Sequence, residues 1–242
     1  GNTVISSGTG NTTFGGTVTG AASSFQASAN AAATISFANT IDVLSFTTGG
    51  TAALSLANVT VSATPGAFII LNSSGATTLN GTYNAGGTFT VTGPVTMGGN
   101  TVVNLTAASG ARPANFNNTI AGGTNSLEVN TVGATTFAGN LFGLSTLTTD
   151  NGGTVTNNLG TTRFNNGVSV TTTGNQTYND RVIIGSADAT VASSSFTTNG
   201  GSFVRFFSND TANSTGVGGN NGVALQGGGV DGSNAGVKSL VI

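Results

Sequence analysis

Apolar and polar residues alternate along short stretches of the chain, and Gly or Asn interrupts the alternation. Clear examples are ALSLANVTV at residues 53–61, GTFTVTGPVTM at 87–97 and GVSVTTT at 167–173. A period of two places successive side chains on opposite faces of an extended strand. β-Branched Thr and Val favour strand, and Glu and Lys, which favour helix, occur once each, as Glu128 and Lys238. The pattern predicts a chain of short strands.

One phrase recurs along the chain. It reads Gly, any residue, Thr, any residue, Phe or Leu, any residue, Gly or Asn, any residue, apolar. It occurs as GNTTFGGTV at 10–18, GATTLNGTY at 75–83, GATTFAGNL at 133–141 and GTTRFNNGV at 160–168. A unit this short cannot bury its own apolar face and must stack on its neighbours. Phe14, Phe137 and Phe164 share one position of the phrase, so we expect them to form one ladder in the core.

These patterns predict an all-β fold, an elongated right-handed parallel β-helix (β-solenoid) with Phe, Val, Leu and Ile inside and Thr, Ser and Asn outside. Coils of about 20 residues would give roughly 12 coils. At the spacing of paired strands they would form a rod of roughly 60 Å. Thr and Asn side chains should hydrogen-bond along the stack. Gly, and after it Asn, should supply positive φ at the corners. A pair of β-sandwiches is the alternative, but it requires more even strand spacing and clearer hairpin turns.

The whole chain, residues 1–242, is interpreted as a single solenoid segment of a longer polypeptide. Residues 1–114 are degenerate coils, and residues 115–198 contain the clearest repeats. Residues 199–242 are richer in Gly and are expected to form further coils with wider loops.

Charged residues make up 5% of the sequence, the net charge is −2, and His and Cys are absent. Without Cys there are no disulfides, and without His there is no Ser-His-Asp triad. The absence of both His and Cys nearly excludes transition-metal sites. The near-neutral chain lacks the basic surface that nucleic acids require. The longest apolar run, AFIIL at residues 67–71, is too short to span a bilayer. We therefore expect no nucleic-acid partner and no membrane insertion of this segment.

The adjacent pair Asp180–Arg181 is the first candidate for chemistry. A catalytic acid with an electrostatic partner would need further carboxylates on the same face, and the seven acids are dispersed. The favoured interpretation is a solvated strand entry, with Tyr178, Val182 and Ile184 pointing inward and the charged pair outside. We therefore predict no catalytic residues and no enzymatic activity.

A weak calcium signal is QGGGVDGSN at residues 226–234, which imitates a calcium-binding nonapeptide but occurs once. The alternative is a Gly-rich loop, so no metal site and no cofactor are predicted. Phe203, Phe206 and Phe207 form one aromatic cluster that could be partly exposed.

Residues 115–198 resemble the β-strand repeats of large bacterial exoproteins and autotransporter adhesins, the filamentous-haemagglutinin-like class. The resemblance is carried, in order, by FNNTIAGGTNSLEVNT, GATTFAGNLFGLSTLTTDNGGTVTNN and VSVTTTGNQTYNDRVIIGSADATVASSS. It implies a β-solenoid, secretion to the bacterial cell surface, and roles in adhesion, aggregation or biofilm, and it brings no catalytic residues. Residues 1–114 share only the composition and the recurring phrase.

From these observations we expect a non-enzymatic structural stalk or body segment of a secreted or cell-surface exoprotein. Its partners would be neighbouring segments of the same chain, further copies, or host or cell-surface glycans and proteins. The alternative is a self-assembling subunit of an extracellular filament or surface layer, because uncapped solenoid ends expose unpaired backbone groups. A glycan-active enzyme is the third and least favoured hypothesis.

Overall fold

Strands and their connections make up the fold in the computed structural model, and no helix occurs in the part of the chain that it describes. The described residues are 1–30, 32–62, 64, 66–105, 112–150, 160–165, 167–179, 181–185, 194–198, 204–206, 223–225 and 240–241. The strands in chain order are β1 Thr3–Ser7, β2 Thr12–Phe14, β3 Val18–Ala29, β4 Thr34–Phe37, β5 Ile41–Gly50, β6 Ala53–Leu56, β7 Val59–Val61, β8 Ile69–Leu71, β9 Thr77–Ala85, β10 Phe89–Val91, β11 Val95–Leu105, β12 Ala114–Phe116, β13 Ile120–Ala121, β14 Leu127–Thr131, β15 Ala134–Phe137, β16 Leu141–Leu144, β17 Leu147–Thr149, β18 Thr161–Phe164, β19 Ser169–Thr172, β20 Gln176–Tyr178, β21 Arg181–Ile184, β22 Ser194–Thr198, β23 Val204–Phe206, β24 Val223–Leu225 and β25 Leu240–Val241.

The strands stack in parallel on three faces, which confirms the predicted β-solenoid. Face A contains β1, the second halves of β3 and β5, and then β8, β10, β12, β15, β18, β21 and β24. Face B contains β2, β4, β6, the first parts of β9 and β11, and then β13, β16, β19, β22 and β25. Face C contains the first parts of β3 and β5, β7, the ends of β9 and β11, and then β14, β17, β20 and β23. Each coil passes through faces A, B and C in turn.

The coils are longer than the sequence suggested. Aligned residues of successive coils on face A, such as Ile69 with Phe89 and Phe137 with Phe164, are 20 to 27 positions apart up to β21. The described residues form about eight turns, fewer than the roughly 12 expected for the whole chain. Eight turns at the usual spacing of paired strands correspond to about 40 Å. That the stack is right-handed stays a prediction, in line with the general preference of crossovers between parallel strands.

The recurring phrase marks a corner of the coil and not a whole coil. Its Phe or Leu is the last inward residue of one face, and its final apolar residue is the first inward residue of the next. Phe137 and Leu141 bracket the corner between faces A and B, whereas Phe14 and Val18 bracket the corner between B and C. Two corners of each coil can therefore carry the phrase, which explains its irregular spacing along the sequence.

The core ladder of aromatic rings differs from the predicted one at a single residue. Phe137 and Phe164 stack with ring centroids 5.3 Å apart, and Phe116 lies 5.3 Å from Phe137 on the other side. Phe14 does not join them, because β2 is on face B, where its ring stacks on Phe37 at 4.5 Å. The predicted ladder is thus confirmed for two of its three members.

Asparagine acts at the corners in a different way from the one predicted. The non-Gly residues with positive φ are Thr124 and Asp150 among those described, and none of them is Asn. Corner asparagines instead use the side-chain oxygen: Asn58 Oδ1 accepts the Thr82 N–H at 2.7 Å, and Asn140 Oδ1 accepts the Ser169 N–H at 2.9 Å. Each bond satisfies a backbone donor of the following coil that the strand ladder leaves open. Glycine does take positive φ, for example at Gly81.

Candidate functional site

The inward residues around Asp180–Arg181 lie where the sequence placed them. Tyr178, Val182 and Ile184 are fully buried. Asp180 lies outside the described residues, and of Arg181 the structure describes the backbone, at the start of β21. The interpretation of this segment as a strand entry is therefore supported by its apolar residues, and the position of its charged side chains stays a prediction.

Of the carboxylates that the structure describes, Asp42 lies apart, whereas Glu128 and Asp150 lie in adjacent coils. Asp42 is exposed on face C, Glu128 is half-buried on the same face four coils further along, and Asp150 is buried at the end of the seventh coil. In the described part of the chain, no group of three or more His, Cys, Asp or Glu could hold a metal ion. Asp188, Asp210, Asp231, the calcium candidate at residues 226–234, and the side chains of Phe203, Phe206 and Phe207 lie outside the described residues.

Face C carries a ladder of hydrogen-bonded polar side chains, three amides and one hydroxyl, across four coils. Asn104 Nδ2 donates to Asn84 Oδ1 at 3.0 Å, and Asn130 Nδ2 donates to Asn104 Oδ1 at 2.8 Å. The ladder extends to Thr60, whose hydroxyl accepts from Asn84 Nδ2 at 3.4 Å. Asn130 also donates to Glu128 Oε1 at 2.8 Å. These bonds confirm that like polar side chains pair along the stack, and they use the amide groups for cohesion between coils.

The corner between faces C and A holds polar groups inside the solenoid at the sixth and seventh coils. Asp150 Oδ1 accepts the Thr131 N–H at 2.6 Å, and Thr131 Oγ1 donates to the carbonyl oxygen of Arg112. Asp150 adopts a positive φ of 52°, which turns the chain at the end of β17. Arg112 is the largest fully buried side chain of the described part. This corner therefore brings a buried cation and a buried carboxylate into adjacent coils.

Sequence reasoning missed Arg112, although a signal for it was present. Phe116 points inward and Ala114 precedes it by two positions, so the period of two places Arg112 on the inward side as well. The general expectation that Arg faces solvent hid this alternation. An Arg at an inward position of the alternating pattern therefore indicated a charged side chain in the core.

A second polar group lies inside the eighth coil, and its bonds are complete. Gln176 Nε2 donates to the Thr197 carbonyl at 2.9 Å and contacts Thr172 Oγ1 at 3.3 Å, while its Oε1 accepts the Tyr178 hydroxyl at 3.0 Å. Burial raises the pKa of Tyr178 well above its ordinary value. Since each polar atom has a partner inside the protein, this arrangement supports a structural role.

Tyr83 repeats this behaviour in the fourth coil. Its hydroxyl donates to the Leu56 carbonyl at 3.0 Å and accepts the Asn80 N–H at 3.1 Å. Burial raises the pKa of Tyr83, and the hydrogen bond from the Asn80 backbone opposes this only in part. A phenol held neutral and bonded on both sides is not available as a general base at neutral pH.

A groove of about 330 Å³ runs along the corner between faces B and C. It is lined by Phe37, Ala38, Ser55, Leu56, Ala57, Thr78, Asn80 and Gly98. Its lining combines small residues of the corner, such as Ala38 and Ala57, with the hydroxyl-bearing Ser55 and Thr78 of face B. It contains no ionisable side chain, so acid–base chemistry has no group to act through there.

The comparisons with known proteins identify no relative. No protein-family model matches the chain, and neither the curated proteins nor the solved structures give a match. The resemblance of residues 115–198 to adhesin repeats therefore stays a prediction. Among the residues that the structure describes, no helix has the length and apolarity that crossing a membrane requires.

Proposed function

We propose that this chain is a non-enzymatic stalk or body segment of a secreted or cell-surface bacterial exoprotein of the adhesin type. The observation that carries the proposal is the continuous parallel stack of about eight turns, in which each coil bonds to the next along all three faces. A stack of repeated coils separates the segments of the polypeptide attached at its two ends, here by about 40 Å. The near absence of charge supports the same role, because side chains that repeat along the axis must not repel.

The polar groups of the described interior support a structural role over an enzymatic one. The buried Gln176 and Tyr178 bond to each other and to neighbouring residues, and Asp150 bonds to a backbone N–H. Polysaccharide-cleaving enzymes need two carboxylates, roughly 5–9.5 Å apart, that flank the bond they cleave. Of the described acids, Asp42 lies four coils from Glu128, and Asp150 is buried and held by a backbone N–H. Incubation with bacterial and plant polysaccharides should release no reducing sugar, and release that Asp150→Asn abolishes would contradict this part of the proposal.

The test of the main proposal is electron microscopy of the native material that carries this chain, labelled with an antibody against residues 1–105. A stalk should appear as separate rods fixed to the cell at one end, with the label at a constant distance from the surface. Label inside the cell, or on compact particles, would contradict the proposal.

A self-assembling subunit of an extracellular filament or surface layer is the second candidate, and the low charge of the chain favours it. With a net charge of −2 and 5% charged residues, the chain has little charge to oppose the association of copies. In the same micrographs, filaments with an axial repeat near one chain length would favour this candidate over the stalk.

A further inference from the structure

Arg112 is buried without the partners that a guanidinium normally has. Its side chain is 1% exposed, and its Nε, Nη1 and Nη2 atoms have no hydrogen-bond partner among the described residues. The hydroxyl of Thr135, fully buried one coil further on face A, also lacks one in that set. Two groups of donors without acceptors thus lie in adjacent coils of one face, two positions apart in register.

The charge of Arg112 requires compensation inside the protein. A guanidinium stays protonated when it is buried, unlike an amine or a carboxyl group, which can become neutral. A buried cation without an opposite charge is strongly unfavourable. An acceptor that also brings negative charge would satisfy both the donors and the electrostatics.

None of the carboxylates that the structure describes is bonded to this guanidinium. The described carboxylates make no hydrogen bond to Arg112, and the Oδ1 atom of Asp150 is used by the Thr131 N–H. The segments next to this corner in sequence, TAASGA at residues 106–111 and NGGTVTNNL at 151–159, contain no Asp or Glu.

The coils on either side place no side chain at the register position of Arg112. In the register of face A, Arg112 aligns with Gly87 of the preceding coil and Gly133 of the following coil. Gly133 packs directly on the backbone of Arg112, where a Cβ atom would lie 2.5 Å from the Arg112 carbonyl oxygen. At this register position of face A, the long cationic side chain of Arg112 therefore lies between two glycines, which have no side chain.

We infer that Arg112 and the Thr135 hydroxyl bind a small inorganic anion of the halide class inside the corner between faces C and A. The guanidinium supplies the charge and several N–H donors, and the hydroxyl supplies a further donor from the next coil. The anion then bridges the sixth and seventh coils and stabilises the folded chain in proportion to its concentration.

Thermal unfolding of the full 242-residue chain tests the inference, with sodium chloride compared with sodium gluconate at equal ionic strength. Chloride binds the folded state alone, so the Tm of the wild type should rise by several degrees more in chloride than in gluconate. Arg112→Met should lose this difference. Arg163→Met is the matched control, because Arg163 is half-buried on face A and bonds to the Gly185 carbonyl, and it should keep the difference.

If Arg112→Met does not fold, a crystallographic measurement on the wild type still decides the question. In crystals grown in sodium bromide, the anomalous map should show a bromide peak within hydrogen-bond distance of the Arg112 guanidinium. Equal Tm values of the wild type in the two salts would overturn the inference. A guanidinium bonded to Asp150 without such a peak would also overturn it, and Asp150→Asn should then lower the Tm equally in both salts.

Discussion

The first five coils and the following three are built on the same plan from different side chains. Residues 1–111 contain one charged residue, Asp42, whereas the sixth to eighth coils contain Arg112, Glu128, Asp150 and Arg163. The strand ladders cross from one region to the other without a break, since β11 pairs with β9 on one side and with β13 and β14 on the other. The comparison teaches that inward alternation and compact corners determine this fold, and that the outward residues and even some inward ones can vary.

The two regions combine the same two kinds of contact between aromatic rings. In the first three coils, Phe25 stacks on Phe46 along face A with an interplanar angle of 16° and meets Phe37 of face B edge to face at 83°. In the sixth to eighth coils, Phe137 and Phe164 stack on face A at 18°, and Phe164 meets Tyr178 of face C edge to face at 87°. The regions differ in the face that supplies the second ring, so the coil does not require one particular ladder.

The largest loss of stability is expected when an aromatic ring of the core is removed, and the loss should be similar in the two regions. Phe137→Ala and Phe46→Ala each remove a fully buried ring, and each should lower the free energy of unfolding by about 3–5 kcal/mol. Urea unfolding followed by circular dichroism measures this. Phe142→Ala is the control, because that ring is 50% exposed, and it should change stability by less than about 0.5 kcal/mol. A large effect in one region alone would show that the two regions do not share one cooperative core.

The second largest loss of stability is expected when a glycine at the tight corner before face A is replaced by Ala. A Cβ atom at Gly133 would lie against the backbone of Arg112, and one at Gly87 would lie against the carbonyl of Ala67. Gly133→Ala and Gly87→Ala should each cost about 1–3 kcal/mol, since the backbone of the neighbouring coil must shift. Gly16→Ala is the control, because no atom lies within 4 Å of its added Cβ. Unchanged urea midpoints for the two corner variants would contradict the close stacking of coils.

Each region contains one buried tyrosine, and together they predict a loss of stability at high pH. Burial raises the pKa of Tyr83 and of Tyr178, so both remain neutral in the folded chain while the unfolded chain ionises near pH 10. Their contribution is complete below pH 10 and declines above it, by about 1.4 kcal/mol per pH unit for each tyrosine. Tyr83→Phe and Tyr178→Phe should each remove their share of this dependence when Tm is measured between pH 9 and 11.5. A variant with the same alkaline slope as the wild type would contradict the buried, neutral phenol.

The smallest effect concerns the amide ladder that joins the two regions. Asn104 lies in the fifth coil and bonds to Asn84 before it and Asn130 after it. Asn104→Ala should cost about 1 kcal/mol, the usual net value of a partly exposed hydrogen bond or two. Asn117→Ala, at an exposed position of the sixth coil, should be neutral in the same urea titration. If both variants behave alike, the ladder does not contribute to cohesion between the regions.

Much of the architecture follows from the sequence, because strand alternation and corner phrases are local signals. Val182 and Ile184 are inward as expected from a period of two. The length of the coil was assumed to be about 20 residues, whereas aligned residues of successive coils are 20 to 27 positions apart. The phrase marks corners, and which corner it marks depends on the stacking of distant residues such as Phe14 and Phe37. Corner asparagines were expected to supply positive φ, whereas Asn58 and Asn140 each accept a hydrogen bond from a backbone donor one coil away. Such contacts depend on register, which a single local phrase does not contain.

The continuity of the two regions is the central claim, and the distance between two spin labels on face B tests it most directly. Ser36, Ser55, Thr78, Thr96, Ala121 and Phe142 form one outward row, aligned coil by coil. Ser36→Cys and Phe142→Cys in the same chain place labels five coil spacings apart, so a pulsed electron paramagnetic resonance measurement should give one narrow distribution near about 24 Å. A broad distribution, or one centred well beyond this distance, would show that the coils of the two regions do not form one stack.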